Sequence, residues 1–167
     1  MSIVYTIGYE GTDISKFVRT LELVGINAIA DVRDVPFSRK KGFSKNILQA
    51  ILAKSNIKYL PFKNLGDPKE GRDAAKAQNY KLFEKIFCTY LKTDAAQAAM
   101  EELANNAKKM KVCLLCFERD YKTCHRYIIA KELQKLGFEI FNLYADDPER
   151  YERNRDLLPE FELSAAE

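Results

Sequence analysis

The sequence has few of the features that would cross-link a secreted protein by disulfides or allow a chain to span a membrane. It holds four cysteines in 167 residues, far fewer than a disulfide scaffold uses, so we expect thiols that are free to pack, to bind metal or to react. It has no apolar run of bilayer length, and the opening MSIVYTIGYEG lacks the basic start and the cleavage site of a signal peptide. These absences predict a soluble, cytoplasmic protein with no membrane partner.

An excess of charge of one sign is also lacking. The net charge of +3 is too small to indicate nucleic-acid binding by itself. The basic residues are concentrated in one stretch, RDVPFSRKKGFSK at residues 33–45, which has a single acidic residue. This basic loop predicts contact with an anion or with a phosphate backbone.

Short β-branched and aromatic runs alternate with helix-period segments. The predicted strands cover residues 2–8, 27–32, 57–62, 111–117 and 138–144, and the predicted helices between them cover 14–24, 45–54 and 125–136. The stretch GDPKEGRD at residues 66–73 predicts a loop, and the alanine-rich stretch that follows it up to Met110 predicts two helices; together they form a helical insertion at about 66–110. With 47% apolar residues, the chain is expected to form one α/β domain over residues 1–145, followed by a charged C-terminal tail over 146–167. The sheet should be largely parallel, with about five strands and helices on both faces, as a Rossmann-like three-layer sandwich.

Polar side chains follow three of the predicted strands. The segments are GYEG after the first strand, DVRDVPFSRK after the second and FERDYKTCHR after the fourth. In sheets of this kind, ligands bind beyond the carboxyl ends of the strands. We therefore expect the three segments to converge on one anion-binding pocket.

Cys124, His125 and Arg126 fall at the first turn of a predicted helix. Free backbone N–H groups and the helix dipole favour a thiolate or a bound anion there, and positive neighbours could lower the pKa of the thiol. Cys124 is therefore a candidate nucleophile, with Arg126 as part of an anion clamp and His125 as a substrate contact. The alternative is that Cys124 packs beneath the loop while Arg126 pairs with Glu118.

Three familiar cysteine chemistries fit poorly. A phosphatase or arsenate-reductase loop needs an arginine six residues after the thiol, where this chain has Ala130. A thioredoxin-type motif would open a helix, whereas Cys113 and Cys116 lie within a predicted strand and point to opposite faces, as core residues do. The same placement argues against a zinc site that joins this pair to Cys124 and His125. No metal and no cofactor are therefore predicted.

Two carboxylates flank the predicted pocket as candidate catalytic groups. Glu118 follows the fourth strand, where it could act as a general acid or base. Asp31 lies two residues before Arg33, so both side chains leave the strand on one side. Either they form a structural ion pair, or Asp31 orients the donors of Arg33 towards an anion. The residues expected to join Arg33 in binding that anion are Ser38, Arg39 and Lys41.

The segment GYEG, residues 8–11, has two glycines that allow a sharp turn. It lacks the third glycine of the dinucleotide fingerprint and the lysine of a phosphate-binding loop, so neither standard nucleotide motif is supported. Tyr9 can still stack on a base or another ring. We expect Tyr9 and Glu10 to contact the substrate.

In combination, TIGYEG, DVRDVPFSRKKGF and LLCFERDYKTCHRYIIA resemble the motifs of the family named domain of unknown function 488, over most of residues 3–141. The resemblance implies a site that includes Asp31, Arg33, Pro36, Ser38, Arg39, Gly42 and Phe43 from the second motif, and Cys116, Glu118, Cys124, His125 and Arg126 from the third. The chain departs from the family pattern at Tyr121, where proline is frequent, and at Asn142, where histidine is frequent. The resemblance implies no particular reaction.

Two functions of different classes fit these patterns. The first is an enzyme, a cysteine-dependent hydrolase or transferase, that acts on a phosphate-bearing substrate such as a nucleotide or a nucleic-acid component. The second is a non-catalytic nucleic-acid-binding module in which residues 33–45 follow a phosphate backbone. A purely structural partner protein fits less well, because so many charged residues gather at the ends of strands.

Overall fold

The computed structural model describes residues 2–160 of the chain. Its centre is a sheet of five parallel strands in the order β3-β2-β4-β1-β5. The strands are β1 (Ile3–Gly8), β2 (Ala28–Asp31), β3 (Lys58–Pro61), β4 (Val112–Cys116) and β5 (Glu139–Tyr144). The strand β4, which is buried at every position, lies in the middle of the sheet, as its continuous apolar run predicts.

Seven α-helices connect and cover the strands of the described region. They are α1 (Ile14–Val24), α2 (Lys45–Lys54), α3 (Lys69–Lys76), α4 (Tyr80–Leu91), α5 (Asp94–Lys109), α6 (His125–Lys135) and α7 (Glu149–Arg153). The prediction of a loop at 66–73 followed by two helices was therefore wrong, because α3 begins within that loop at Lys69 and α4 and α5 follow it. The break between α3 and α4 is made by Gln78, which has a φ of 58°, and by Asn79, whose side chain accepts a hydrogen bond from the Leu82 amide.

Two apolar clusters cover the two faces of the sheet. One contains Leu114 of β4 with side chains of α3, α4, α5 and α6. The other contains Cys113 and Leu115 of the same strand with side chains of α1 and α2. Since neighbouring residues of one strand belong to different clusters, helices lie on both faces. The predicted three-layer α/β fold is confirmed.

Local sequence explains where α1 begins and ends. The Asp13 carboxylate accepts a hydrogen bond from the Lys16 amide over 2.9 Å, and Gly25 adopts the left-handed conformation that ends many helices. Ser44 precedes α2, as predicted, but its hydroxyl bonds to the backbone of Ser38 and caps no amide of α2.

The described part of the tail packs on the domain. Tyr151 of α7 is buried, and its hydroxyl accepts a hydrogen bond from the Tyr144 amide over 2.7 Å. Contacts also join α7 to α1. The remainder of the predicted tail, residues 161–167, lies outside the described residues. Within residues 2–160, no helix combines the length and the apolar composition needed to cross a membrane.

Candidate reaction centre

The segments that follow β1, β2 and β4 meet at the carboxyl edge of the sheet. The Glu10 amide donates a hydrogen bond to the Phe117 carbonyl over 2.8 Å, which joins the first segment to the third. The ring of His125 contacts the carbonyl oxygen of Val32 over 2.6 Å, which joins the third segment to the second. Residues more than 90 positions apart in sequence therefore share one site.

Three buried side chains form the centre of this site. Cys116 is the last residue of β4, Cys124 directly precedes α6, and His125 is the first residue of α6. The Nδ1 atom of His125 lies 3.6 Å from Sγ of Cys116 and 3.7 Å from Sγ of Cys124. Their three candidate ligand atoms all lie within 4.8 Å of one another. We call these residues the cysteine cluster.

The contact of Nε2, the second ring nitrogen of His125, with the Val32 carbonyl sets the orientation of the ring. A carbonyl oxygen can only accept, so Nε2 carries a proton and donates it to Val32. The Nδ1 atom is left to interact with the two sulfurs. The ring edge also contacts Phe87 of α4, at 5.2 Å between ring centroids, which fixes its position from the apolar side.

The two cysteines of the cluster differ in their tendency to ionise. Burial opposes ionisation of Cys116, but the hydrogen bond from the Cys124 thiol and the charge of His125 outweigh it and hold the pKa of Cys116 well below its usual range. Burial and the proximity of Cys116 raise the pKa of Cys124 well above its usual range. Although burial acts to lower the pKa of His125, the charge of Cys116 raises it to about 9. In the metal-free protein, Cys116 is therefore the preferred thiolate.

Strand alternation predicted Cys116 to be a core residue, whereas the family resemblance included it in the site. The alternation of side chains along the strand predicted their directions correctly, since Cys113 belongs to the core on one face of the sheet and Cys116 lies on the other face. Cys116 is also buried, as a core residue would be. As the final residue of its strand, however, it meets the start of α6, and strand alternation contains no information about that contact.

Two carboxyl groups border the cysteine cluster. The Oε2 atom of Glu118 lies 3.0 Å from Sγ of Cys116, and burial together with the negative charge of Cys116 raises the pKa of Glu118 to about 7. Asp67, between β3 and α3, is buried, and its Oδ1 atom has no hydrogen-bond partner among the described residues. Burial raises the pKa of Asp67 to about 6. Nothing in the stretch GDPKEG distinguishes Asp67 as a site residue, and sequence reasoning missed it.

Two cavities open onto the cysteine cluster. One, of about 220 Å³, reaches Cys124, and the other, of about 150 Å³, reaches Cys116. Both are lined by Asp67, Arg72, Glu118 and His125. Each cysteine of the buried cluster thus lines a cavity.

Asp31 and Arg33 form a closed ion pair. The Nε and Nη2 atoms of Arg33 donate to the two carboxylate oxygens of Asp31 over 2.8 and 2.7 Å, and Nη1 donates to the Phe43 carbonyl over 2.7 Å. Tyr59 donates a further hydrogen bond to Asp31. Because each end of the guanidinium already has a protein acceptor, the contacts match the structural ion pair, although Arg33 still lines the smaller cavity.

Arg126 is wholly buried, and each of its three guanidinium nitrogens donates a hydrogen bond within the protein. Its Nη1 and Nη2 atoms donate to the backbone carbonyls of Glu118 and Arg119, and Nε donates to the Thr6 hydroxyl over 3.3 Å. Arg126 therefore bonds the backbone of Glu118 and not its carboxylate. It positions the loop that presents Glu118, and no nitrogen remains for an anion clamp.

The GYEG segment packs on the same loop. A Cβ atom at Gly8 would collide with the Glu118 carbonyl, so the glycine makes room for protein backbone and not for a ligand. The Tyr9 ring is buried and stacks on Phe43 at 4.5 Å between centroids. Glu10 is exposed and accepts a hydrogen bond from the Arg119 amide.

The basic loop is held together by its own backbone contacts. The backbone of Ser38 exchanges hydrogen bonds of 3.1 Å with the Ser44 hydroxyl, and the Ser38 hydroxyl accepts one from the Lys40 amide, so Ser38 serves the loop itself. Arg39 and Lys41 are exposed, line neither cavity, and have no polar partner within residues 2–160. These two side chains are not brought to the cysteine cluster.

Tyr121 and Asn142, where the chain departs from the motif pattern, line one cavity of about 200 Å³. Asn142 also accepts a hydrogen bond from the Thr6 hydroxyl, which in turn contacts Arg126.

Comparisons with known proteins place the chain in a family. No curated protein and no solved structure matched it. The family described as Domain of unknown function DUF488 matches residues 13–133, well over half of the sequence, and the chain belongs to that family.

Proposed function

We propose that the protein is an enzyme of the hydrolase or transferase type whose reaction centre consists of Cys116, Glu118, Cys124 and His125. The observation that carries this proposal is the convergence of two sulfurs, an imidazole and a carboxyl group beside two cavities, at the carboxyl edge of a parallel sheet. Glu118 lies within hydrogen-bond reach of Cys116 and lines both cavities. It therefore acts as the general acid or base that exchanges a proton with the substrate. A reducing cytoplasm suits a centre that depends on two thiols.

The proposed substrate bears a phosphate group and is a nucleotide or a nucleic-acid component. Arg72 and Lys76, both from α3, line the larger cavity and provide positive charge at its mouth. Arg72 is held in place by Asp34 over 2.6 Å, whereas Lys76 is exposed. These two residues replace Arg33, Arg39 and Arg126 as the expected anion contacts.

Turnover assays on variants test this proposal. The purified protein is incubated with a panel of nucleotides, phosphate monoesters and short oligonucleotides, and products are separated by chromatography. Cys116→Ser and Glu118→Gln should each lower turnover by at least about a hundredfold, and Lys76→Ala should raise KM more than it lowers kcat. Cys88→Ser is the control, because Cys88 lines a separate cavity between α4, α5 and α6. Wild-type turnover in both Cys116→Ser and Glu118→Gln, or no turnover on any substrate class, would reject the proposal.

A second candidate function is non-catalytic binding of single-stranded nucleic acid by the basic loop. Phe37 at the tip of this loop is 69% exposed, beside the exposed Arg39 and Lys41. Exposed aromatic rings that stack on bases, together with cations that contact phosphates, are typical of such surfaces. Affinity for labelled single strands should fall steeply with salt, and Arg39→Ala and Lys41→Ala should each reduce the salt slope. An affinity that changes neither with salt concentration nor with these substitutions would exclude this function.

A further inference from the structure

The nitrogen–sulfur distances of the cysteine cluster match those between ligands of a tetrahedral metal ion. Zinc lies about 2.3 Å from a cysteine sulfur and about 2.0–2.1 Å from an imidazole nitrogen, which places sulfur and nitrogen about 3.5 Å apart at the tetrahedral angle. The two measured distances from Nδ1 of His125 to the sulfurs are 3.6 and 3.7 Å. We infer that Cys116, Cys124 and His125 bind one zinc ion.

The hydrogen bond of His125 to Val32 has the arrangement expected of a metal-binding histidine. Such histidines usually donate their second ring N–H to a carbonyl or carboxylate, which fixes the tautomer and turns the free nitrogen towards the metal. Here Nε2 donates to the Val32 carbonyl over 2.6 Å and Nδ1 faces both sulfurs. The acceptor belongs to the loop after β2, so the fold orients the ring before any metal binds.

Charge and ligand type also favour zinc. Two buried thiolates would carry two negative charges in a site where Cys116, Cys124 and His125 are each less than 7% exposed, and a divalent cation neutralises them. Two sulfurs and one imidazole suit zinc and disfavour magnesium and calcium, which prefer oxygen ligands. The helix α6 begins at His125, so its dipole adds a further preference for thiolate at this position.

Three protein ligands leave the fourth position for water or substrate, as in catalytic zinc sites. Glu118 and Asp67 line both cavities beside the cluster, and Oδ1 of Asp67 has no partner among the described residues. These carboxyl groups can accept hydrogen bonds from a water molecule bound to the cation. Glu118 would then exchange protons with that water.

This assignment revises the sequence-based expectation of no metal. The ligand set rejected earlier joined Cys113 to the other three residues, and Cys113 does lie on the opposite face of β4. The remaining three residues are nevertheless brought together by the start of α6. The inference deepens the proposed function, because it assigns the sulfurs a role as ligands, but zinc content is measured without turnover. A protein that binds zinc and has no activity would therefore overturn the proposed function alone.

Zinc binding by the full chain tests the inference. The protein is stripped with a chelator under anaerobic, reducing conditions and dialysed against Zn²⁺, and in parallel against Co²⁺ as a spectroscopic probe. The wild type should retain one zinc per chain and show a near-ultraviolet charge-transfer band from sulfur to cobalt. Cys116→Ser, Cys124→Ser and His125→Gln should each weaken zinc binding by more than about a hundredfold, and Cys88→Ser should bind as the wild type does.

Circular dichroism identifies any variant that fails to fold. If a variant fails to fold, the zinc content and the thermal midpoint of the wild-type protein decide the test. A thermal midpoint that rises with added Zn²⁺ in the wild type and in Cys88→Ser, but not with added Mg²⁺, supports the site. Substoichiometric zinc in the wild type, or a folded Cys116→Ser variant that binds zinc with wild-type affinity, overturns it.

Discussion

His125 donates its Nε2 proton to the carbonyl oxygen of Val32 over 2.6 Å, and this bond sets which ring nitrogen faces the sulfurs. Val32 lies 93 residues away in sequence, so the orientation of the ring depends on the assembled sheet. A glutamine at position 125 can place its terminal amide where Nε2 lies, but it has no group that corresponds to Nδ1.

His125→Gln should therefore separate folding from metal binding. We expect it to retain the thermal midpoint of the metal-free wild type within a few degrees, because the bond to Val32 can be kept, and to lose the zinc-dependent rise of that midpoint. Differential scanning calorimetry with and without Zn²⁺ measures both quantities. Equal zinc-dependent rises in His125→Gln and the wild type would show that Nδ1 is not a ligand.

Asp31→Asn should destabilise the fold strongly. Its side chain and that of Arg33 are almost wholly buried, and removal of one charge leaves the other without a partner in a site of low polarity, which costs about 3–5 kcal/mol. Urea unfolding at neutral pH measures the change in free energy. Asp34→Asn is the control, since Asp34 and Arg72 are about one-third exposed and such pairs contribute about 1 kcal/mol or less. Similar losses in both variants would contradict the closed ion pair as a structural element.

Tyr5→Phe should stabilise the protein and reduce its sensitivity to alkali. The Tyr5 hydroxyl is buried without a hydrogen-bond partner among the described residues, so its removal should raise the free energy of unfolding by roughly 1 kcal/mol. Burial raises the pKa of Tyr5 to about 12, above the value of about 10 in an unfolded chain. Since the folded pKa is the higher one, ionisation of Tyr5 favours the unfolded state, so the wild type keeps its full stability below pH 10 and loses stability as the pH rises from 10 towards 12.

Urea unfolding at pH 8, 10 and 11 measures this difference. The wild type should lose stability between pH 10 and 11 relative to Tyr5→Phe, so the gap between the two proteins should widen. Tyr59→Phe is the contrasting variant, because its hydroxyl donates to the Asp31 carboxylate and its loss should destabilise the protein at pH 8. A stability loss in Tyr5→Phe at pH 8 would mean that its hydroxyl has a partner after all.

The sequence predicted the regular elements well where capping residues mark their ends. The bounds of α1 and α2 agree with the prediction, since Asp13 and Gly25 bracket the first and Ser44 precedes the second. The extra helix in the insertion was missed because α3 begins within GDPKEGRD, where glycine and proline ordinarily indicate a loop.

The site was harder to predict because its contacts are tertiary. The rule for parallel sheets located the correct edge and the correct segments. It contains no information on which donors are already occupied, and the contacts of Arg33 and Arg126 depend on carbonyl groups of Phe43, Glu118 and Arg119. Asp67 was missed for the same reason, and strand alternation placed Cys116 in the core although the resemblance included it in the site, since the contacts of both residues arise only when β4, α3 and α6 are assembled.

Zinc-edge X-ray absorption spectroscopy of the reconstituted full chain tests the central claim most directly, because it counts the atoms bound to the metal. The cysteine cluster predicts two sulfur atoms at about 2.3 Å and one imidazole nitrogen at about 2.0–2.1 Å, with a lighter atom in the remaining position. A shell of nitrogen and oxygen alone would contradict the claim that Cys116, Cys124 and His125 form one metal-binding reaction centre.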